Sequence, residues 1–482
     1  MTRLPRCSSY LFAILTVLVF SNSFPASVDA AEARPNVVIF LIDDMGWTDL
    51  GCQGSTYFET PHIDQLAADG IRFTNGYAAC AVCSPTRAAV MTGKYPARIG
   101  VTDWIRAEFQ GGKMPASGKN PTEYIGGNSR KLLCPPNPLW MEHEEVTLAE
   151  LMKAKGYKTC YIGKWHLGME PWYPESQGFD FNYGGCDYGQ PPSYFDPYKN
   201  GKLTGIPTLK PRKDGEYLTD READEAVGFI ESHKDQPFFL YVANYAVHTP
   251  IQAKKELIAK YEAKPKTNQK NAAYAAMVES VDDSVGTILA CLERNKLTDN
   301  TLVLFTSDNG GLLGPTHNAP LRSGKGNPYE GGIRVPFIVK WPGHIQPGSI
   351  SDSPVCSIDI LPTLVDITNP PLPSNHSVDG VSLLDELIGK QKIDSRLLFW
   401  HFPHYRSKTI PPYAIVRDGK YKLIHWFEGK SELYDLEKDL SETTDLAAQY
   451  PKIKAKMLDQ LENLLITNGA RVPRKNPGFQ AN

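Results

Sequence analysis

The stretch Cys83-Ser84-Pro85-Thr86-Arg87, continued by Thr92-Gly93 and Tyr95-Pro96, sets a thiol where a loop enters a helix. Pro85 suits a first helical turn, and Ala88, Ala89 and Val90 continue it. A helix N-terminus offers free N–H groups and a partial positive charge, so an anion held against residue 83 would be stabilised there. Arg87, one turn on, can reach back toward the same position. Taken alone, the pattern fits a buried structural cysteine followed by a helix equally well. Asp43-Asp44 directly follows the apolar run Asn36 to Ile42, and Asp308-Asn309-Gly310 follows the run Leu302 to Thr306. Open α/β sheets bind ligands at such carboxyl ends of strands. Adjacent carboxylates in a turn repel one another unless a cation neutralises them. Asp43-Asp44 by itself also reads as a solvated turn. Two strand ends converging with Asp43, Asp44, Asp308 and Asn309 make an all-oxygen site, which favours a hard divalent cation over zinc.

The segment from Cys83 resembles the first signature of the type I sulfatases, and Gly156-Tyr157-Lys158-Thr159-Cys160-Tyr161-Ile162-Gly163-Lys164-Trp165-His166 resembles the second. Both fit without gaps and in the family's order, and the similarity runs from about residue 34 to beyond 440. The resemblance implies a sulfuric ester hydrolase of alkaline-phosphatase-like fold. It also implies oxidation of Cys83 to formylglycine by a formylglycine-generating enzyme during maturation. Calcium would be held by Asp43, Asp44, Asp308, Asn309 and the modified residue 83, with magnesium left open by residue type. Lys164 and His166 belong to the second signature. His248, in Asn244-Tyr245-Ala246-Val247-His248-Thr249-Pro250, and Lys325, in Leu321-Arg322-Ser323-Gly324-Lys325-Gly326, match further family positions. By that likeness Arg87, Lys164, His248 and Lys325 cradle the sulfate, and one hydroxyl of hydrated formylglycine attacks sulfur. Asp308 takes the nucleophile's proton, His248 or Lys325 protonates the leaving oxygen, and His166 assists release of sulfate.

The rival readings are a phosphate or phosphonate monoester hydrolase of the same superfamily and a polysaccharide-binding protein without catalysis. The long, aperiodic Gly-, Pro- and aromatic-rich loops 105–145 and 170–215 have the character of pocket walls, although plain surface insertions would look much the same. Together with the resemblance they suit a sulfated saccharide or polysaccharide. In Trp400-His401-Phe402-Pro403-His404-Tyr405, two histidines flanked by aromatics are suited to stacking on a sugar ring and hydrogen-bonding its hydroxyls. His401 and His404 are therefore candidate substrate-binding residues, although a buried aromatic strand end would look the same.

Apolar, β-branched runs alternate with helical patterns, which predicts a layered α/β fold around a mixed, mostly parallel sheet sandwiched by helices. Strands are expected at Asn36 to Ile42, Tyr157 to Ile162, Phe238 to Val242 and Leu302 to Thr306. Helices are expected from the cap Thr60 with Pro61 as first helical residue, from the capping box Thr147 to Glu150, at Asp220 to His233 and at Asn271 to Arg294. Beyond about residue 385 the texture changes. Tyr413 to Trp426 reads as a hairpin turning at Asp418-Gly419, and Lys452 to Leu465 as an amphipathic helix. The expected organisation is a signal peptide at 1–30, a catalytic domain at 31–385 and a small α+β subdomain (antiparallel sheet plus helix) at 386–482.

Arg3 and Arg6, the apolar run Leu11 to Phe20 and the small-residue site Val28-Asp29-Ala30 make up that leader, which implies export without a stable membrane anchor. The formal net charge of −3 and the absence of a basic block give no footprint for a nucleic-acid partner. Outside Cys7 and Cys83, seven cysteines without framework spacing predict one or two disulfides and otherwise buried thiols.

Overall fold

The run Asn36–Ile42 is buried on both faces and forms a central strand, as its unbroken hydrophobicity requires. The structure is a computed structural model that describes residues 1–2, 34–105, 114–374 and 376–480. The proposed leader lies almost wholly outside the described residues. Pro35–Asn482 clusters as one compact unit.

Eight strands form the main sheet in the spatial order Ser349–Ser351, Ile71–Phe73, Phe337–Lys340, Thr301–Ser307, Asn36–Ile42, Phe238–Ala243, Lys158–Gly163, Phe181–Tyr183. Only Phe337–Lys340 runs against its neighbours; the other pairings are parallel. Alternation along the central strand divides the core. Val38, Phe40 and Ile42 face helices Leu218–His233 and Ala272–Arg294, through Phe229, Ile230, Val281 and Val285. Val37, Ile39 and Leu41 face the opposite layer, with Ala88 and Val90 of helix Cys83–Thr92 and Leu148 and Leu151 of helix Leu148–Ala154.

A second, antiparallel sheet joins Leu397–Phe402, Tyr413–Asp418, Tyr421–Trp426 and Lys430–Asp435 in sequence order, covered by helix Pro451–Thr467. Gly419 turns the central hairpin with φ +56°, which glycine adopts without steric cost. The sheet packs on the loop that leads into residue 83. Ala79, Cys80, Ala81 and Val82 share its core, and the Trp400 indole donates to the Ala78 carbonyl at 2.7 Å.

Most expected elements are present within a residue or two, including the Thr147 capping box, where the Glu150 amide donates to Thr147 Oγ1 at 3.1 Å. Three differences stand out. Thr60 does not cap the helix Pro61–Ala68; its hydroxyl instead donates to Asp64 at 3.0 Å and accepts the Gly51 amide at 2.9 Å. The stretch 170–215 is not wholly loop, because Phe181–Tyr183 forms the edge strand of the main sheet. The expectation of disulfides is overturned: no disulfide joins any of the eight cysteines among the described residues. Seven of the eight are buried, Cys160 within a strand and Cys291 within a helix, where a thiol packs as a small apolar side chain.

Candidate active site

Four of the main sheet's parallel strands deliver the site from one end. Asp43 and Asp44 follow the central strand, Asp308 and Asn309 follow Thr301–Ser307, Lys164 and His166 follow Lys158–Gly163, and His248 follows Phe238–Ala243. Backbone bonds tie these ends together. The Asp308 amide donates to the Ile42 carbonyl at 3.1 Å, and the Asp43 carbonyl accepts the Val247 amide at 2.8 Å. Asp44 and His166 sit at φ +63° and +58°, a region that costs a non-glycine residue energy unless its surroundings enforce it.

The side chains form one buried charge cluster. Lys164 Nζ lies 2.7 Å from Asp43 Oδ2, and Lys325 Nζ lies 2.6 Å from Asp44 Oδ1. Arg87 donates to Asp308 Oδ2 from Nε at 2.9 Å and Nη2 at 2.7 Å, and from Nη1 to the Lys164 carbonyl at 2.5 Å. Asn309 Nδ2 donates to Asp44 Oδ1 at 2.8 Å, and the Asp44 amide donates to Asp308 Oδ1 at 3.2 Å. Three carboxyl groups thus meet two lysines and one arginine. Burial pushes the Asp43 carboxyl up to about 8, against the pull of Lys164. Burial acts upward on Asp44 too, but Lys325, His248 and Lys164 hold it well below the usual carboxylate range.

Cys83 opens its helix behind Val82, which is extended and offers no side-chain cap, so the first-turn N–H groups have no intrahelical partner. Burial raises the Cys83 thiol, and nearby Lys164 and Lys325 pull it down. The Thr86 hydroxyl accepts the Cys80 amide at 3.0 Å, fixing the loop against the helix. Ser84 Oγ donates to the His166 carbonyl at 2.9 Å and accepts the Ile105 amide at 3.0 Å.

Two histidines point a ring nitrogen inward. His166 Nε2 is 2.9 Å from the Ile105 carbonyl, which assigns its proton there and leaves Nδ1 as a buried acceptor with no partner. His248 Nδ1 is 3.0 Å from the Thr249 carbonyl, so Nε2 carries the lone pair 3.6 Å from Asp44 Oδ2. A lone pair facing a carboxylate requires a cation or proton between them. Burial and then Lys325 push the His248 imidazole down to about 3, with Asp44 pulling it upward.

The cluster suits a metal by one test. Asp43 Oδ1, Asp44 Oδ2 and Asn309 Oδ1 are buried and have no hydrogen-bond partner. Orphaned buried oxygens are costly, and a hard cation satisfies them. Ligating atoms of Asp43, Asp44 and His248 lie within 4.8 Å of one another. His248 is the member that reasoning from residue types left out of the metal set. Asp308, counted in that set, is bonded through both oxygens to Arg87 and to the Asp44 amide.

His401 and His404 lie elsewhere. His401 is 3% exposed, its Nε2 3.1 Å from the Arg471 carbonyl and its ring between Phe399 and Phe427. His404 is 2% exposed, with Nε2 2.8 Å from Thr102 Oγ1. Neither ring has a face open to a sugar. Sequence reasoning missed Ser84 and Tyr161, whose hydroxyl donates to the Lys164 carbonyl; both are buried polar groups that fix site backbone.

A mostly parallel sheet sandwiched by helices, with a separate antiparallel four-stranded sheet toward the C-terminus, is the alkaline-phosphatase-like fold. The sulfatase family profile matches residues 35–370, and that of the N-sulphoglucosamine sulphohydrolase C-terminal region matches 324–467. A sulfatase of Formosa agariphila is 34% identical over 91% of this chain and 90% of its own length. The N-acetylgalactosamine-6-sulfatase of Mus musculus is 34% identical over 82% of this chain and 73% of its own. The solved structure of Ps i-CgsB in complex with k-i-k-neocarrahexaose superposes with a TM-score of 0.75 at 30% identity, covering 90% of this chain and 93% of that one. The chain belongs to the sulfatase family and is a sulfuric ester hydrolase.

Proposed function

We propose that this enzyme removes sulfate from a sulfated saccharide, using formylglycine formed from Cys83 and a calcium ion. The observation that carries the reading is the set of orphaned oxygens of Asp43, Asp44 and Asn309, gathered with Lys164 and Lys325 around the helix start at residue 83. A relative at 34% identity named for a 6-sulfated amino sugar supports the saccharide.

Asp43, Asp44 and Asn309 would hold calcium, with Asp308 and residue 83 beside them and the His248 imidazole at the edge. Once bound, calcium supplies charge neutralisation at the sulfate oxygens. Formylglycine supplies, as a hydrated aldehyde, one hydroxyl to attack sulfur and a second to expel sulfate, which a serine in that place cannot do. Lys164, Lys325 and Arg87 lower the repulsion between an incoming nucleophile and the anionic ester. Asp308 accepts the nucleophile's proton, and Arg87 orients that carboxylate through two donors. Lys325 Nζ delivers a proton to the departing oxygen, a role His248 shares only once Nε2 is itself protonated, and His166 Nδ1 accepts one when sulfate leaves. Maturation requires a formylglycine-generating enzyme and, by the leader sequence, export. No helix among the described residues is long and apolar enough to cross a membrane.

The test is turnover of nitrophenyl sulfate against nitrophenyl phosphate, followed by release of sulfate from defined sulfated mono- and oligosaccharides. Sulfate turnover with at least one saccharide desulfated is the expected result. Preference for the phosphate, or activity on the aryl ester with every saccharide refused, overturns the reading.

A further inference from the structure

Lys325 lies in a long segment with no regular secondary structure between Asp308 and the short helix Glu330–Ile333, yet its ammonium is held 2.6 Å from Asp44. A flexible lysine held at one point needs a fixed backbone beneath it. Part of that fixation is local: the Lys325 amide donates to the Gly311 carbonyl at 3.1 Å, and the Gly326 amide to the Ala81 carbonyl at 2.8 Å. The rest comes from folding the loop onto the helix. The Gly331 amide donates to the Arg322 carbonyl at 2.9 Å, and a Cβ at Gly331 would lie 2.4 Å from the Ser323 carbonyl oxygen. Glycine is required at 331 because two backbones touch there.

The helix and loop are gripped in turn from the antiparallel sheet. Lys422, fully buried in Tyr421–Trp426, places Nζ 2.9 Å from Glu330 Oε1 and 2.8 Å from Glu442 Oε1. Glu442 Oε2 accepts the Glu330 amide at 2.6 Å, and the Glu442 carbonyl accepts Arg322 Nη1 at 2.7 Å. The Arg322 guanidinium lies 3.7 Å over the Tyr329 ring. Glu442 holds φ +52°, and Ser323, two residues before Lys325, holds φ +65°. Non-glycine residues in that region mark places where the surroundings dictate the backbone. Lys422 and Glu442 thus bind both ends of the segment that presents Lys325, and neither reaches the reacting groups.

We propose that Lys422 and Glu442, acting through Glu330 and Arg322, are positioning residues for Lys325, so that the antiparallel sheet shapes turnover without touching substrate. A purely structural cluster would be redundant, because Trp400, Ile415 and Leu423 already share an apolar core with Val82 and Ile333, on the loop before residue 83 and on the short helix. Buried ion pairs are seldom more stabilising than apolar residues of equal volume, which leaves geometry as what this cluster contributes.

The proposal rests on the reading of Lys325 as a sulfate-binding residue, and a double-mutant cycle separates the two. The full-length, calcium-loaded enzyme is compared as wild type, Lys422→Met, Lys325→Ala and the double variant, on nitrophenyl sulfate. Lys422→Met is expected to lower kcat/KM about 10- to 100-fold in the wild-type background and less than about twofold in the Lys325→Ala background. Its effect on melting temperature should be equal in both. Where Lys325→Ala leaves turnover below detection, the affinity for inorganic sulfate replaces kcat/KM in the same cycle. Should Lys422→Met fail to fold, Lys422→Arg takes its place. Equal factors in both backgrounds, or no loss from Lys422→Met, overturn the positioning role. Full activity in Lys325→Ala overturns the assignment of Lys325 instead.

Discussion

Two clusters of charge are buried in this protein, and they are finished differently. At the carboxyl ends of the main sheet, Asp43, Asp44 and Asp308 meet Arg87, Lys164 and Lys325, and Asp43 Oδ1, Asp44 Oδ2, Asn309 Oδ1 and His166 Nδ1 make no hydrogen bond. Beneath the antiparallel sheet, Glu330 and Glu442 meet Lys422, Arg334 and Arg417. There Glu330 is filled by Lys422 on one oxygen and by Tyr77 at 2.7 Å and Arg334 at 3.2 Å on the other. Arg417 closes the circuit with a bond to the Tyr77 hydroxyl. A buried polar group without a partner costs more than a hydrogen bond returns, so open valences persist where a ligand fills them. Glu442 Oε1 makes no hydrogen bond either, but it lies 2.8 Å from Lys422 Nζ, closer than any ion pair reaching the open oxygens of Asp43 and Asp44. That closed cluster is filled from within the chain, and the open one is the candidate site.

Breaking the open cluster should abolish activity and spare the fold. Cys83→Ala should lower kcat on any sulfate ester by at least about 10³-fold, since the reacting group itself is removed, while the melting temperature stays near wild type. Asp44→Asn should follow, with activity falling together with the rise in melting temperature that calcium gives the chelated wild-type protein. Loss of activity with the calcium-induced rise intact would remove Asp44 from the metal site. Breaking the closed cluster should instead cost stability first. Glu442→Ala leaves Lys422 short of a partner and should destabilise by about 3–5 kcal/mol in urea unfolding, in the range for breaking a buried pair.

Smaller effects sharpen the contrast. His401→Ala should cost about 1–3 kcal/mol of stability and lower turnover of a saccharide and of nitrophenyl sulfate by the same factor, because His401 bonds backbone inside the core. A loss confined to the saccharide would return it to a sugar-binding role. The last effect is one of pH. Glu222 is buried, accepting Asn244 Nδ2 at 2.8 Å and the Tyr245 amide at 3.3 Å, and burial raises its carboxyl from 4.5 to about 8. An acid raised on folding contributes stability that is complete below its unfolded pKa and is lost as pH rises through the folded one. Wild type should therefore lose up to about 1.4 kcal/mol per pH unit between about 4.5 and 8 relative to Glu222→Gln, which carries no proton to lose. Parallel curves for the two proteins in that window would show that Glu222 is ionised throughout.

Much of the site was legible because its residues sit directly after strands that announce themselves. Asn36–Ile42 and Thr301–Ser307 are continuous apolar runs, so Asp43, Asp44, Asp308 and Asn309 could be placed at strand ends without coordinates. Lys325 depended on local likeness, since no periodic element places it; His248 lies just past the legible strand Phe238–Ala243, and likeness was what singled it out. The strands Ile71–Phe73, Phe337–Lys340 and Ser349–Ser351 were not legible, because three or four residues carry too little alternation to register. Lys422 was hidden for another reason: in a hairpin a lysine reads as the solvent-facing member of the alternation, and only the partners Glu330 and Glu442, 92 and 20 residues away, turn it inward. His401 and His404 show the converse. Flanking aromatics resemble a sugar platform in sequence, and here they are core.

The central claim is that residue 83 reacts as an aldehyde hydrate rather than as a thiol. Protein co-produced with graded amounts of a formylglycine-generating enzyme gives preparations that differ in conversion. Mass spectrometry of the peptide carrying residue 83 measures the fraction in each, alongside specific activity on nitrophenyl sulfate. Activity should rise in direct proportion to the aldehyde fraction and extrapolate to zero for unmodified Cys83. A preparation that holds only the thiol at position 83 and turns over at the full rate would contradict the account.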